Sequence, residues 1–181
     1  MAHHGLTGVL LVGGASRRFG SPKALAHLGG ETLAERAWRV LGLVCDERIA
    51  VGKSADRLAL PFPVHDDGSE VRAPLAGVVA GLRLARNGLC ICLPVDCPLV
   101  TADALRALAE ACADAAVPQT GPLPGAYRAT ALPLLERCLR DGELALREAL
   151  SSLDTRVVQL DPAELVNVNT EEALLALGGA A

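Results

Sequence analysis

The stretch Gly13-Gly-Ala-Ser-Arg-Arg-Phe-Gly-Ser-Pro-Lys23 places two adjacent glycines ahead of three cations, Arg17, Arg18 and Lys23. Glycines such as Gly13 and Gly14 admit positive φ and let backbone N–H groups approach an anion closely, while the cations add charge. In a chain whose formal net charge is −4, that concentration of positive charge suits a polyphosphate. The stretch is not a Walker A loop, because Lys23 follows Pro22 and precedes Ala24, and it is not G-x-G-x-x-G. Arginine supplies 15 of the 17 basic residues, so the two lysines stand out as compact point charges. Lys53, on an expected turn, is read as chance.

A second stretch, Pro94-Val-Asp-Cys-Pro98, follows an aliphatic run and holds Asp96 between two prolines. A carboxylate fixed beside a phosphate loop suits Mg²⁺, which takes one or two carboxylates plus phosphate oxygens and waters. The alternative is a turn aspartate bonded to its own backbone; the neighbouring glycine loop favours the metal. No basic residue near Asp96 in sequence offers it a partner. Asp66 and Asp67 end a short apolar segment ahead of Pro74, and Asn167-Val-Asn-Thr170 precedes the last helical segment. Both patterns also occur in plain turns and caps. The histidines share no ligand spacing, and no Ser/His/Asp or Cys/His arrangement is present. The six cysteines, at 45, 90, 92, 97, 112 and 138, include no C-x-x-C pair, so they are expected as buried reduced thiols rather than a zinc site.

These residues need elements to position them. Gly8–Val12 and Leu89–Leu93 read as strands buried on both faces, and Glu47–Val51 as another. Phe62–His65 is a short third strand, and Ala115–Val117 and Arg156–Leu160 are weaker ones. Thr32 and Glu35 form a capping box for a helix through Leu41. Pro74 starts a helix that Asn87-Gly88 closes, and Thr101 caps the next. Residues 118–124 read as a Pro/Gly loop leading to Ala126-Tyr127, with helices over Leu132–Leu139 and Leu144–Leu150. Asn169 and Glu172 are expected to cap the last helix. The alternation predicts an α/β fold, a doubly wound, mostly parallel sheet with helices on both faces, as one domain over residues 1–181. In such a sheet ligands bind at the carboxyl ends of the strands, where all three stretches lie.

Composition narrows the function. Apolar residues make up 51% and charged residues 21%, which excludes a disordered chain. Four aromatic residues and a negative net charge argue against nucleic-acid binding. No apolar run approaches the roughly 20 residues needed to cross a bilayer. No leader pattern is present, and the cytoplasm is the expected compartment.

With the glycine–arginine–lysine loop, Pro74-Leu-Ala-Gly77, Pro94-Val-Asp-Cys-Pro98 and Asn167-Val-Asn-Thr170 in order, the chain resembles the nucleotidyltransferases of Rossmann-like fold. Within them it is most similar to molybdenum cofactor guanylyltransferase. The resemblance implies transfer of GMP from GTP to the phosphate of molybdopterin, with release of pyrophosphate. It implies that Leu11, Val12, Gly13 and Gly14 lie against the nucleotide and that Lys23 contacts its phosphates, with Arg18 adding charge stabilisation. Asp96 would hold Mg²⁺ and nucleotide, and a third-strand aspartate, Asp67 counting back from Pro74 or else Asp66, would help recognise guanine. Asn167 and Asn169 would face the pterin, and proteins that carry or receive the molybdenum cofactor are implied as transient partners. Two features depart from the family: Val12 stands for a usual alanine, and Gly52-Lys53 stands where the family can carry a nucleotide-contacting asparagine. Competing readings are a cytidylyltransferase acting on molybdopterin or a small phosphorylated substrate, and an idle nucleotide-binding regulator. Retention of Lys23 and Asp96 argues against the idle module.

Overall fold

The computed structural model describes residues 5–13 and 22–178. Strand β1 (Leu6–Leu11) lies at the middle of the architecture because its side chains are apolar on both sides. Leu10 packs into one core with Ala50, Ile91 and Leu33, whereas Val9 and Leu11 pack into a second with Val51, Leu75 and Val78. A short hairpin, β2 (His27–Leu28) and β3 (Glu31–Thr32), leads into α1 (Leu33–Gly42). There Thr32 Oγ1 accepts from Glu35 N while the Glu35 carboxylate accepts from Thr32 N. The chain then forms β4 (Glu47–Gly52), β5 (Val64–Asp66), α2 (Pro74–Leu84) and β6 (Leu89–Pro94). It continues through α3 (Ala102–Ala111), β7 (Ala115–Pro118), β8 (Gly125–Arg128), α4 (Leu132–Asp141) and α5 (Leu146–Leu150). β9 (Thr155–Val158) and α6 (Glu171–Gly178) complete it.

Seven strands form one sheet in the order β5-β4-β1-β6-β8-β7-β9. β1 pairs in parallel with β4 and with β6, and β4 with β5. From β1 the chain steps outward to β4 and β5, then returns to β6 on the other side of β1. Residues of α1, α3 and α6 enter the core on one face, and those of α2, α4 and α5 the core on the other. The reversal of strand order between β1 and β6 opens a crevice at their carboxyl ends. None of the helices among the described residues is long and apolar enough to cross a membrane.

The structure adjusts several expected elements. Ala126-Tyr127 belongs to a strand, β8, that runs antiparallel to both β6 and β7. The connection over residues 119–124 is too short for the crossover a parallel neighbour needs, so the chain turns back as a hairpin. Tyr127, with no exposed surface, seals that turn by donating its hydroxyl to Pro122 O. The third strand is Val64–Asp66 rather than Phe62–His65, because Phe62 leaves the sheet to stack on Trp38 at 4.1 Å between ring centroids. The last helix is capped by Thr170, whose Oγ1 accepts from Ala173 N, and not by Asn169, which is engaged elsewhere.

Helix α2 can lie close to β1 only because it carries a glycine at the contact. A Cβ on Gly81 would fall inside van der Waals contact of Val9 Cγ1 and 2.8 Å from its Cγ2. Alanine gains about 1 kcal/mol of helix propensity, but Val9 is β-branched, stiff and has no exposed surface, and overpacking costs about 1–3 kcal/mol. Gly81→Ala is therefore expected to lower the midpoint of urea unfolding despite the better helix former; an unchanged or raised midpoint would show that β1 yields.

Candidate active site

The carboxyl ends of β1, β4, β5 and β6 are drawn together by main-chain bonds just beyond the ladders. Val12 N donates to Val51 O at 3.0 Å, Val95 N to Leu11 O at 3.2 Å, and Asp67 N to Gly52 O at 2.9 Å. Gly52 must be glycine here, since a Cβ would lie 2.8 Å from Val12 Cγ2. The ends surround a cavity of about 660 Å³. Leu11, Gly13, Gly52, Lys53, Asp67 and Pro74 line one side, Asp96 and Asn167 lie on its lining, and Thr120–Leu123 and Arg147 close the far side.

Asp96 stands at the centre of a small network. Its Oδ2 lies 3.4 Å from Lys23 Nζ, which also donates to Asn169 Oδ1 at 3.0 Å. Sequence proximity offered Asp96 no cation, yet the fold supplies one across 73 positions. The Asp96 carbonyl accepts from Val168 N at 2.8 Å. Cys97 Sγ donates to Asn167 Oδ1 at 2.9 Å. The segment Asn167-Val-Asn-Thr170 thus divides its tasks: Asn167 reaches Cys97 and the cavity, Val168 is buried in the core, Asn169 holds Lys23, and Thr170 caps α6. Burial pushes the Cys97 thiol well above its usual range, and raises those of Cys45 and Cys90 to about 12. These thiols are packing groups and weak donors.

Not every sequence candidate meets the cavity. Leu11, Gly13, Asp67, Asp96 and Asn167 line it, whereas Lys23 stands against Asp96, and Asn169 against Lys23, without contributing to the lining. Val12 turns its side chain into the core and is not among the lining residues. Gly14 and Arg18 lie outside the described residues. Asp66 is not on the lining; its carboxylate accepts from Ser54 N at 2.7 Å and Gly68 N at 2.8 Å. Three cationic lining residues escaped sequence reasoning. Lys53, taken there as chance, is tied to Asp67; Arg72 pairs with Asp56 at 2.6 Å; and Arg147 donates to Thr120 O at 3.2 Å. The scarcity of lysine was the one signal for Lys53. Arg147, one of 15 arginines in the sequence, carried none.

Comparison with known proteins follows the same geography. Residues 8–157 match the family of the MobA-like NTP transferase domain. The chain belongs to that family. A relative from Rhodopirellula baltica named probable molybdenum cofactor guanylyltransferase is 34% identical, over 91% of this chain and 88% of its own. The molybdenum cofactor guanylyltransferase of Pseudomonas syringae is 34% identical over 90% and 88%. Among solved structures, molybdopterin-guanine dinucleotide biosynthesis protein A from Archaeoglobus fulgidus superposes with a TM-score of 0.82 at 24% identity, covering 96% of this chain and 97% of the other. The MobA-like chain therefore shares the family's fold, and nucleotidyl transfer is the chemistry of the family.

The bonds to Asp66 separate it from Asp67. Above all the Ser54 backbone N–H, then the Ser54 side chain and the Gly68 backbone N–H, hold the Asp66 carboxyl down to about 2 from its usual 3.8. A carboxyl depressed by folding contributes stability that is complete above its unfolded value and is lost as pH falls through the folded one. Asp66→Asn should thus be less stable than wild type at neutral pH, with the difference shrinking as pH falls from 3.8 towards about 2. Urea unfolding across that range reads it, and a deficit independent of pH would deny the carboxylate its role in the turn.

Proposed function

We propose that this chain transfers GMP from GTP to the phosphate of molybdopterin, releasing pyrophosphate. The observation that carries the reading is the single cavity on which Gly13 and Asp67 meet Asp96 and Asn167, so that a nucleotide half and an acceptor half open into one space. The names of the relatives from Rhodopirellula baltica and Pseudomonas syringae support the choice of acceptor and base.

The nucleotide lies over the ends of β1 and β4 with its phosphates directed towards Lys23. α2 begins beside the cavity without a side-chain cap, at Pro74, which leaves its positive end to favour an anion. Asp67, rather than Asp66, meets the donor edge of guanine, an edge that adenine and cytosine do not reproduce. Asn167 and Arg147 stand on the acceptor side. An acceptor phosphate oxygen attacks the α-phosphorus in line, the bond to the bridging oxygen breaks, and pyrophosphate takes the electron pair. Holding the two phosphates in one cavity converts a bimolecular encounter into an oriented one. Lys23, fixed by Asn169, and Arg18 offset charge that develops on the phosphoryl oxygens.

The donor set suits a hard cation. No cluster of three or more His, Cys, Asp and Glu that could hold a metal occurs among the described residues, so Asp96 would be the protein's ligand, with phosphate oxygens and water completing the shell. Bound Mg²⁺ would supply neutralisation of the triphosphate. The reaction is assigned to the cytoplasm. The chain is taken to act as one domain, and neither nucleic acid nor a membrane is among its partners. Proteins that carry or receive the molybdenum cofactor would meet it transiently.

Two measurements test this reading. In thermal-shift titrations with Mg²⁺, GTP should stabilise the protein more than CTP, ATP or UTP, and a larger shift with CTP would replace the guanylyl assignment by a cytidylyl one. In transfer assays, Lys23→Ala and Asp96→Asn should each fold and each lower the rate about a hundredfold. Because the two side chains meet, the double variant should lose less than the product of the single losses. EDTA should abolish wild-type transfer and excess Mg²⁺ restore it. Full activity of Asp96→Asn, or activity that survives EDTA, would reduce Asp96 to a turn residue.

A further inference from the structure

Lys53 lines the cavity, yet its ammonium is already engaged. Nζ donates to Asp67 Oδ1 at 2.7 Å, to Val71 O at 2.8 Å and to Ser69 O. An ammonium has three donors, and here all three are used. The side chains of Lys53 and Asp67 are 11% and 8% exposed, so the pair is shielded from water on the cavity wall. Lys53 is therefore not a phosphate ligand.

Its effect falls on Asp67. Ser69 N also donates to Asp67 Oδ1, at 2.9 Å, and Asp67 N is held by Gly52 O. Both hydrogen bonds to the carboxylate from described residues thus fall on one oxygen, and Oδ2 accepts from none of them. A triphosphate is made of acceptors and is repelled by a carboxylate, so the part of a nucleotide that meets Oδ2 must carry hydrogen-bond donors, and the N–H groups of a base are donors that differ from one nucleotide to the next. We infer that Lys53 is a specificity-determining positioning residue, which locks Asp67 and the backbone of residues 69–71 so that Asp67 Oδ2 reads a donor edge of the base. This rests on the guanylyl reading above. Guanine offers N1–H and an exocyclic amine along that edge, whereas adenine sets the bare lone pair of its N1 there. A site built around such an acceptor rejects the wrong base through the unpaired group it leaves. The planar fork of arginine could not converge on one carboxylate oxygen and two carbonyls in this way, which gives a reason for lysine in an arginine-rich chain.

The test is a cycle on the full-length protein: wild type, Lys53→Met, Asp67→Asn and the double variant, each titrated with GTP and with ATP by calorimetry. The readout is the ratio of the two dissociation constants, which a general loss of fold would not move selectively. Lys53→Met should lower the preference for GTP by about tenfold, the scale of one hydrogen bond to a charged group. In the Asp67→Asn background it should lower it no further. If Lys53→Met alone fails to fold because Asp67 is left without its cation, the double variant lacks that charge and is compared directly with Asp67→Asn. A preference kept within twofold in Lys53→Met, or a further fall in the Asp67→Asn background, overturns the inference. If wild type binds CTP more tightly than GTP, the guanylyl reading fails on its own, and Lys53 is judged by the same cycle on CTP against UTP.

Discussion

Everything proposed for this site depends on the parallel pairing of β1 with a neighbour on each side. Because β4 and β6 both run with β1, and β5 runs with β4, all four strands release their chains at the same edge of the sheet. The chains leaving β1 and β5 lead to α1 and α2, which pack on opposite faces of the sheet, and the cavity opens at that shared edge. The aliphatic character of β1 makes this possible. A strand with a solvated face could not carry helices on both sides.

The two lysines divide the electrostatics of the crevice. Each is held against an aspartate that lines the cavity, Lys23 against Asp96 and Lys53 against Asp67. A carboxylate on a partly dry wall is costly unless it is paired, so these contacts let acidic groups remain on the cavity wall. The pairs differ in looseness. Lys23 meets Asp96 at 3.4 Å and shares its charge with a neutral amide, whereas Lys53 meets Asp67 at 2.7 Å and spends its other donors on backbone. The Lys53 arrangement suits a wall that must not move.

The carboxy-terminal segment supplies the remaining constraint. Val168 anchors it in the core and donates to the Asp96 carbonyl, so the flanking asparagines are held on the side of Asp96 and Cys97. A segment far away in sequence thereby becomes part of the loop that follows β6. This couples the segment to both Lys23 and the cavity lining, since displacement of residues 167–169 would disturb both.

Local chemistry in the sequence was enough to determine the parallel core, the helix starts at Thr32, Pro74 and Thr101, and the three stretches that bring Gly13, Asp96 and Asn167 to the cavity. Aliphatic runs, capping residues and prolines act over a few positions, so their consequences can be read from neighbours along the chain. What lay beyond that reading was set by contacts across the fold. The antiparallel β8 followed from a connection too short to cross over, and the cap at Thr170 from Asn169 being drawn to Lys23. That Asp67 and not Asp66 lies on the cavity lining went with a turn whose backbone N–H groups engage the Asp66 carboxylate. Lys53 looked idle in the sequence because its acceptors, at Asp67, Ser69 and Val71, converge only when β4 and β5 lie side by side. A side chain's type states what it is able to donate. Only the packed structure decides which acceptors stand within reach of one ammonium, because that convergence is a property of distance in space and not of spacing along the chain.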